Sequence, residues 1–353
     1  NPKDIEFFET ARQHKWKNAK IVAFGATRRK DTPVEDDESI AAILRSGVSV
    51  VALVAKFSSW QVEHVLETTA QENLAMITES VTYLKQCGLE VVVDAEHYFD
   101  GFLADGDYAH SCLRAAADSG ADWVVLCDTN GGSLVETIRE ITEIAVEHSP
   151  VPVGIHTHND ADLATAGALA GVSAGATQVQ GTINGIGERC GNANLCAVVA
   201  DLQLKMGVEC VPPDNLSRLT ELSHFVSETA NMAPSSQMAF VGHSAFAHKA
   251  GYHASATAKV EHAYQHIDPA AVGNRQRVLV SELSGASNVV TRTAQLGINQ
   301  SRSAAADTVR MLKNMESRGF QFEAAEASFE LLVRRQGPEY ESPFELVDFL
   351  TLV

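Results

Sequence analysis

Short, continuous runs of apolar residues recur along the first part of the chain. Each is followed by a longer stretch in which apolar positions return every three or four residues. The runs at 19–24, 48–55, 89–94, 123–127, 151–155 and 177–180 read as strands, because a strand covered on both faces has no polar side to alternate with. The periodic stretches at 63–86, 107–118, 134–148 and 161–174 read as helices. Ahead of the first strand, Asn1-Pro2-Lys3-Asp4 precedes Ile5, Phe7, Phe8 and Ala11, a helix start with proline in its first turn. Strand and helix alternate in units of about thirty residues, as parallel strands joined by helical crossovers require.

The texture changes after Leu204. Residues 214–231 read as an amphipathic helix begun by Pro212-Pro213, followed by an irregular Ser- and His-rich stretch (234–261) and a polar one (264–288). Helical periodicity returns at 303–316 and 320–335. A domain over 1–204 and a mainly helical one over 205–353 are therefore expected. The apolar end at 344–353 carries no cap, and further chain is expected beyond it.

Polar residues gather where the strands stop. From the third strand onward the ends read Asp94-Ala95-Glu96-His97, Cys127-Asp128-Thr129-Asn130-Gly131-Gly132, His156-Thr157-His158-Asn159-Asp160 and Gln180-Gly181-Thr182-Ile183-Asn184. A barrel converges such ends on one mouth, whereas an open doubly wound sheet spreads them along an edge. The expected fold is an α/β (β/α)8 TIM barrel lacking its first two strands in this chain, followed by the helical C-terminal subdomain.

Composition narrows the partners. A formal charge of −18 over 353 residues, with no Lys/Arg run to reverse it locally, argues against nucleic acid. No apolar stretch is long enough to span a membrane and no secretory leader opens the chain, so no membrane partner and a cytoplasmic location are expected. The cysteines Cys87, Cys112, Cys127, Cys190, Cys196 and Cys210 form no Cys-x-x-Cys and read as free thiols.

Candidate chemistry centres on His156 and His158. Side chains two apart on a strand point the same way, so a strand through Val153 and Ile155 delivers both imidazoles side by side, as a shared metal ion requires. Two imidazoles are too few ligands, and Asn192 and Glu96 are the candidates for a third. Glu96, flanked by His97, Tyr98 and Phe99, is a candidate acid/base. Thr129 is a candidate hydrogen-bond donor to substrate. The glycines of 185–191 miss the spacing of a dinucleotide fingerprint and suggest a tight backbone path near a ligand. Cys190 has no histidine placed beside it and reads as structural, and His248 and His253 are open on residues alone.

Three segments carry a resemblance: Gly154-Ile155-His156-Thr157-His158-Asn159-Asp160, the glycine-rich run from Gly185 through Asn192 to Leu195, and Ala245-Phe246-Ala247-His248-Lys249-Ala250-Gly251-Tyr252-His253. They resemble the Claisen-condensing acyltransferases that include the 2-isopropylmalate, homocitrate and citramalate synthases. Segments 94–100, 178–184 and 267–274 are most similar to the citramalate-forming branch, which serves isoleucine biosynthesis. The resemblance implies a (β/α)8 barrel with a divalent ion (Mg, Mn or Zn) at its mouth, held by His156 and His158 with Asn192 as a further ligand or close neighbour. It implies that Glu96 and Thr129 contact substrate. His253 would help deprotonate acetyl-CoA from the other subunit of a homodimer. The reaction implied is condensation of acetyl-CoA with a 2-oxoacid, pyruvate in the citramalate branch; 2-isopropylmalate or homocitrate synthesis and a lyase of the same superfamily are the alternatives.

Two departures accompany it. The family's first-strand Thr-Leu-Arg-Asp-Gly type motif, source of a third metal ligand and a cationic group, does not occur here, and a preceding segment is expected to supply it. The position two after His253, often acidic in relatives, is Ser255.

Overall fold

Six parallel strands form one sheet in sequence order: β1 (Val22–Ala26), β2 (Val50–Lys56), β3 (Glu90–Glu96), β4 (Trp123–Asp128), β5 (Val153–Thr157) and β6 (Gln178–Gln180). The structure, a computed structural model, describes residues 2–248, 264–278, 285–322, 325–337 and 340–350, with the side chains of His248 and Val278 outside that set. Helices precede and connect the strands: α1 (Pro2–Gln13), α2 (Glu38–Ser46), α3 (Ser59–His64), α4 (Ala70–Gln86), α5 (Tyr98–Ala104), α6 (Gly106–Asp118), α7 (Val135–His148), α8 (Ala164–Ser173) and α9 (Leu195–Leu204).

Parity along each strand decides what faces where. Val51, Leu53, Val91, Val93, Val124, Leu126 and Ile155 are buried in the layer shared with the helices. Burying each such side chain contributes roughly 1.5–3 kcal/mol. Val50, Val92 and Val125 form a separate cluster on the other face, joined by Trp123. That second face carries Asp94, Glu96, His156 and Gln180, two apart along their strands.

The sheet is curled. Asp94 on β3 and Gln180 on β6 are hydrogen-bonded at 2.8 Å although β4 and β5 lie between them. Strands about 4.8 Å apart would hold β3 and β6 about 14 Å apart in a flat sheet, beyond the reach of those side chains. The six strands are thus an arc of the expected barrel, with their inner face turned on itself. β1 and β6 are its edges, and the inward Val22 and Phe24 of β1 stand 43% and 69% exposed.

Where the elements differ from expectation, local hydrogen bonding explains it. The helix expected over 63–86 is two helices, because Glu67 takes a left-handed φ of 51° and the Thr69 hydroxyl accepts from the Glu72 amide to cap α4. Ahead of the helix expected at 107–118 stands α5, which begins from His97 at a φ of 57°. The strands β1 to β5 run one or two residues further toward their polar ends than the apolar runs do.

Residue contacts divide the chain after Cys210. Val211–Val353 contains helices Pro213–Leu216, Leu219–Thr229, Ala286–Gln295, Arg302–Glu316 and Glu326–Arg334, with Ala247–His248 paired parallel to Arg277–Val278. Its core joins Val289, Ala305, Leu312, Phe322, Phe329 and Val333. Ala286–Gln295 lies partly in the stretch read as polar; its Asn288, Val289 and Thr293 are buried, and Val289 belongs to this core. Among the described residues no helix is long and apolar enough to cross a membrane.

Candidate active site

The end of β5 sets the centre. Ile155 packs into the helix layer and the buried Thr157 hydroxyl donates to the Ala164 carbonyl at 2.7 Å, so His156 and His158 emerge on the opposite side. Their rings stack with centroids 5.1 Å apart and planes within 11°. His156 stands between two oxygens: Nδ1 lies 2.8 Å from Gln180 Oε1, and Nε2 lies 2.9 Å from Asn192 Oδ1. Gln180 in turn donates through Nε2 to Asp94 Oδ1 at 2.8 Å.

The glycine-rich run brings Asn192 to this place. Gly191 adopts a φ of 97°, and a Cβ there would lie 2.0 Å from the Gly185 carbonyl oxygen. At Gly187 a Cβ would lie 2.1 Å from Asn192 Nδ2. With both side chains absent the loop folds back, Asn192 N donates to the Gly185 carbonyl at 3.0 Å, and Asn192 Nδ2 donates to the Ile186 carbonyl at 3.2 Å. The amide oxygen is thereby turned toward His156.

Electrostatics favour neutral imidazole at the second ring. Burial, together with the charges of His156 and Arg189, holds His158 below the ordinary histidine value. Its Nδ1 is buried and has no hydrogen-bond partner among the described residues. Asp94 is buried as well, which pushes its carboxyl up against the opposing effects of the Gln180 hydrogen bond and His156.

Around this centre the strand ends carry further polar contacts. Lys56 Nζ meets Glu96 Oε2 at 2.5 Å, from paired positions on β2 and β3. Thr129 Oγ1 accepts from the His97 amide at 2.7 Å. Arg189 donates to both Asp160 oxygens, at 2.7 and 2.9 Å, and to the Thr129 carbonyl at 2.8 Å, tying the glycine-rich loop to the ends of β4 and β5.

His156, His158 and Asn192 therefore meet. Of the two candidates for a further ligand, Asn192 stands beside His156, whereas Glu96 is engaged with Lys56. Among the described residues no group of three or more His, Cys, Asp or Glu could hold a metal ion; what they bring together here is two imidazoles and an amide oxygen. His253 lies outside the described residues, as does the side chain of His248. None of the six cysteines is in a disulfide. Reading the sequence for motifs left out Lys56, Asp94, Gln180 and Arg189 as site residues. The signal for the first three was their parity on buried strands, where an inward polar residue needs a partner.

Comparison with known proteins adds the following. The HMGL-like family model matches residues 1–226, and a homocitrate synthase post-HMGL domain-like model matches 240–319. The chain is 48% identical over 95% of its length to an (R)-citramalate synthase of Aquifex aeolicus (strain VF5), covering 64% of that protein. It is 45% identical over 99% of its length to an (R)-citramalate synthase of Geobacter sulfurreducens, covering 66% of it. The chain thus spans slightly less than two thirds of either relative. A solved HMG-CoA lyase of Bacillus subtilis shares the fold, with a TM-score of 0.54 at 15% identity, over 65% of this chain and 76% of that one.

Proposed function

The chain belongs to the HMGL-like family, and from that premise we propose that it is the catalytic part of an enzyme condensing acetyl-CoA with pyruvate to give citramalate and CoA. The observation that carries this reading is the 48% and 45% identity, over nearly the whole chain, to two (R)-citramalate synthases.

The donor set fits a divalent cation. Gln180 Oε1 and Asn192 Oδ1 are both acceptors, yet a neutral imidazole has one N–H to offer them. The nitrogen left with a lone pair then faces an oxygen lone pair at 2.9 Å, close to the separation of two neighbouring ligands of one ion. The buried Nδ1 of His158, without a hydrogen-bond partner among the described residues, is a second lone-pair donor. His156, His158 and Asn192 would hold the ion, and Mg, Mn and Zn all accept such a mixed set. When bound, the ion supplies Lewis-acid polarisation of the 2-oxoacid's keto group.

The remaining roles belong to side chains. Thr129, whose hydroxyl is positioned by the His97 amide, donates to the substrate carboxylate. Glu96, held by Lys56, acts with His253 in taking a proton from the acetyl methyl group. The resulting enolate attacks the keto carbon, and hydrolysis of the thioester releases CoA. His253 is taken to come from the partner subunit of a homodimer working in the cytoplasm.

The test is CoA thiol release by the full-length protein with acetyl-CoA and a panel of 2-oxoacids. The expected result is release that depends on the acceptor and is fastest with pyruvate. Faster turnover of 2-oxoisovalerate or 2-oxoglutarate would move the protein to another synthase of the group. Cleavage of a hydroxyacyl-CoA with no acceptor would make it a lyase.

A further inference from the structure

A carboxylate can only accept hydrogen bonds, and a carbonyl oxygen can only accept them. Asp94 is a buried carboxylate on the inner face of β3, and the Gln180 side chain lies 2.8 Å from it on one side and 2.8 Å from His156 Nδ1 on the other. The amide must therefore turn its NH2 to Asp94 and its carbonyl to His156. Asn192 Oδ1, turned to the ring by its own Nδ2 donating to the Ile186 carbonyl, accepts as well, so two carbonyls face one ring proton. The Gln180 amide, polarised by the charged Asp94, is the stronger acceptor and takes Nδ1–H, which leaves the lone pair of the neutral ring on Nε2, on the side of Asn192. With the amide reversed, its carbonyl would face the Asp94 oxygens and its NH2 would face Nδ1. The ring proton would then sit on Nε2 and donate to Asn192 Oδ1, leaving no lone pair toward the site.

We propose that Asp94 and Gln180 are positioning residues: Asp94 orients the Gln180 amide, and Gln180 locks His156 in the Nδ1–H tautomer, so that Nε2 is presented as a donor atom. This rests on the reading of His156 as a cation ligand, but the tautomer is a property of the ion-free protein and is measured separately. The bland alternative is a structural tie between β3 and β6. A tie alone would leave the ring proton where it is.

The experiment uses full-length protein labelled with 15N-histidine and stripped of metal, observed by long-range 1H–15N correlation at a pH where the rings are neutral. His156 in wild type is expected as Nδ1–H. Gln180→Leu removes the acceptor and is expected to move the proton to Nε2, where Asn192 accepts it. Two carboxylates at that separation cannot both ionise, so the carboxyl introduced by Gln180→Glu shares a proton with Asp94 while its other oxygen still accepts from Nδ1–H, which keeps the tautomer. Zn²⁺ affinity, read by competition with a chromophoric chelator, is expected to fall about 10–100-fold in Gln180→Leu, as for other partners that orient a metal-binding histidine. It should recover in Gln180→Glu. An Nε2–H ring in wild type overturns the proposal, and this reading needs no variant to fold. An unchanged tautomer and unchanged Zn²⁺ affinity in Gln180→Leu overturn it too. Wild type that shows Nδ1–H yet binds neither Zn²⁺ nor Mn²⁺ overturns the cation reading instead and leaves the tautomer assignment standing.

Discussion

Lys56 Nζ stands 2.5 Å from Glu96 Oε2, joining the ends of two neighbouring strands with side chains 19% and 26% exposed. Neighbouring strands place these residues in register, so the ammonium fixes where the carboxylate points without any help from a loop. The catalytic role proposed for Glu96 depends on that placement.

Glu96→Gln should lower kcat for CoA release about 10²–10⁴-fold, the usual contribution of a positioned acid/base. Lys56→Met should lower kcat by less, because the carboxylate survives but loses its anchor. Thermal stability should change little in Lys56→Met, since one partly exposed ion pair contributes about 1 kcal/mol or less. Wild-type kcat in Glu96→Gln would reduce Glu96 to a partner of Lys56.

Removing the ion should stop the reaction reversibly. Dialysis against a chelator is expected to abolish CoA release, and Mn²⁺ or Mg²⁺ to restore it. Equilibrium dialysis should show that His156→Ala and His158→Ala no longer retain the ion, while Asn192→Ala binds it at least about 10-fold more weakly. Full retention in both histidine variants would put the ion elsewhere in the protein.

Asp37 makes the acid stability of the first unit predictable. Its buried carboxylate caps α2, accepting from the Ser39 and Ile40 amides at 2.9 and 3.1 Å, and also from the Arg29 amide at 3.0 Å. Burial pushes its carboxyl up, but those amides and the Arg29 guanidinium outweigh it and hold the group below the ordinary carboxylate range. A group depressed in the folded state stabilises fully above its unfolded value of about 3.9, and loses that contribution as pH falls through the folded value. Asp37→Ala should therefore cost about 0.5–2 kcal/mol in urea unfolding at pH 7 and show a flatter acid limb. Equal unfolding midpoints for wild type and variant at pH 7 would show that the cap contributes nothing.

The strands were legible because each apolar run is a local property. Their polar ends were not: β3 continues through Glu96 and β5 through Thr157, past the residues where the apolar runs stop. Backbone pairing is indifferent to side-chain polarity, and the inner face of a curled sheet can carry Asp94 or His156 provided each finds a partner. The helix Ala286–Gln295 was hidden for the opposite reason: of its three buried side chains only Val289 is apolar, Asn288 and Thr293 being polar, so no apolar run marks it.

Sequence by itself determined the alternation of strand and helix, the pair of imidazoles two apart, and the glycines that let Asn192 turn back. All of these are fixed by spacing within one segment. Tertiary structure alone decided which groups meet His156. Gln180 is 24 residues away, Asn192 is 36, and Asp94 reaches Gln180 across 86. Asp94 and Gln180 reach this place only because the register of the strands and the curl of the sheet bring separate inner faces within hydrogen-bonding distance, and Asn192 arrives on the folded glycine-rich loop.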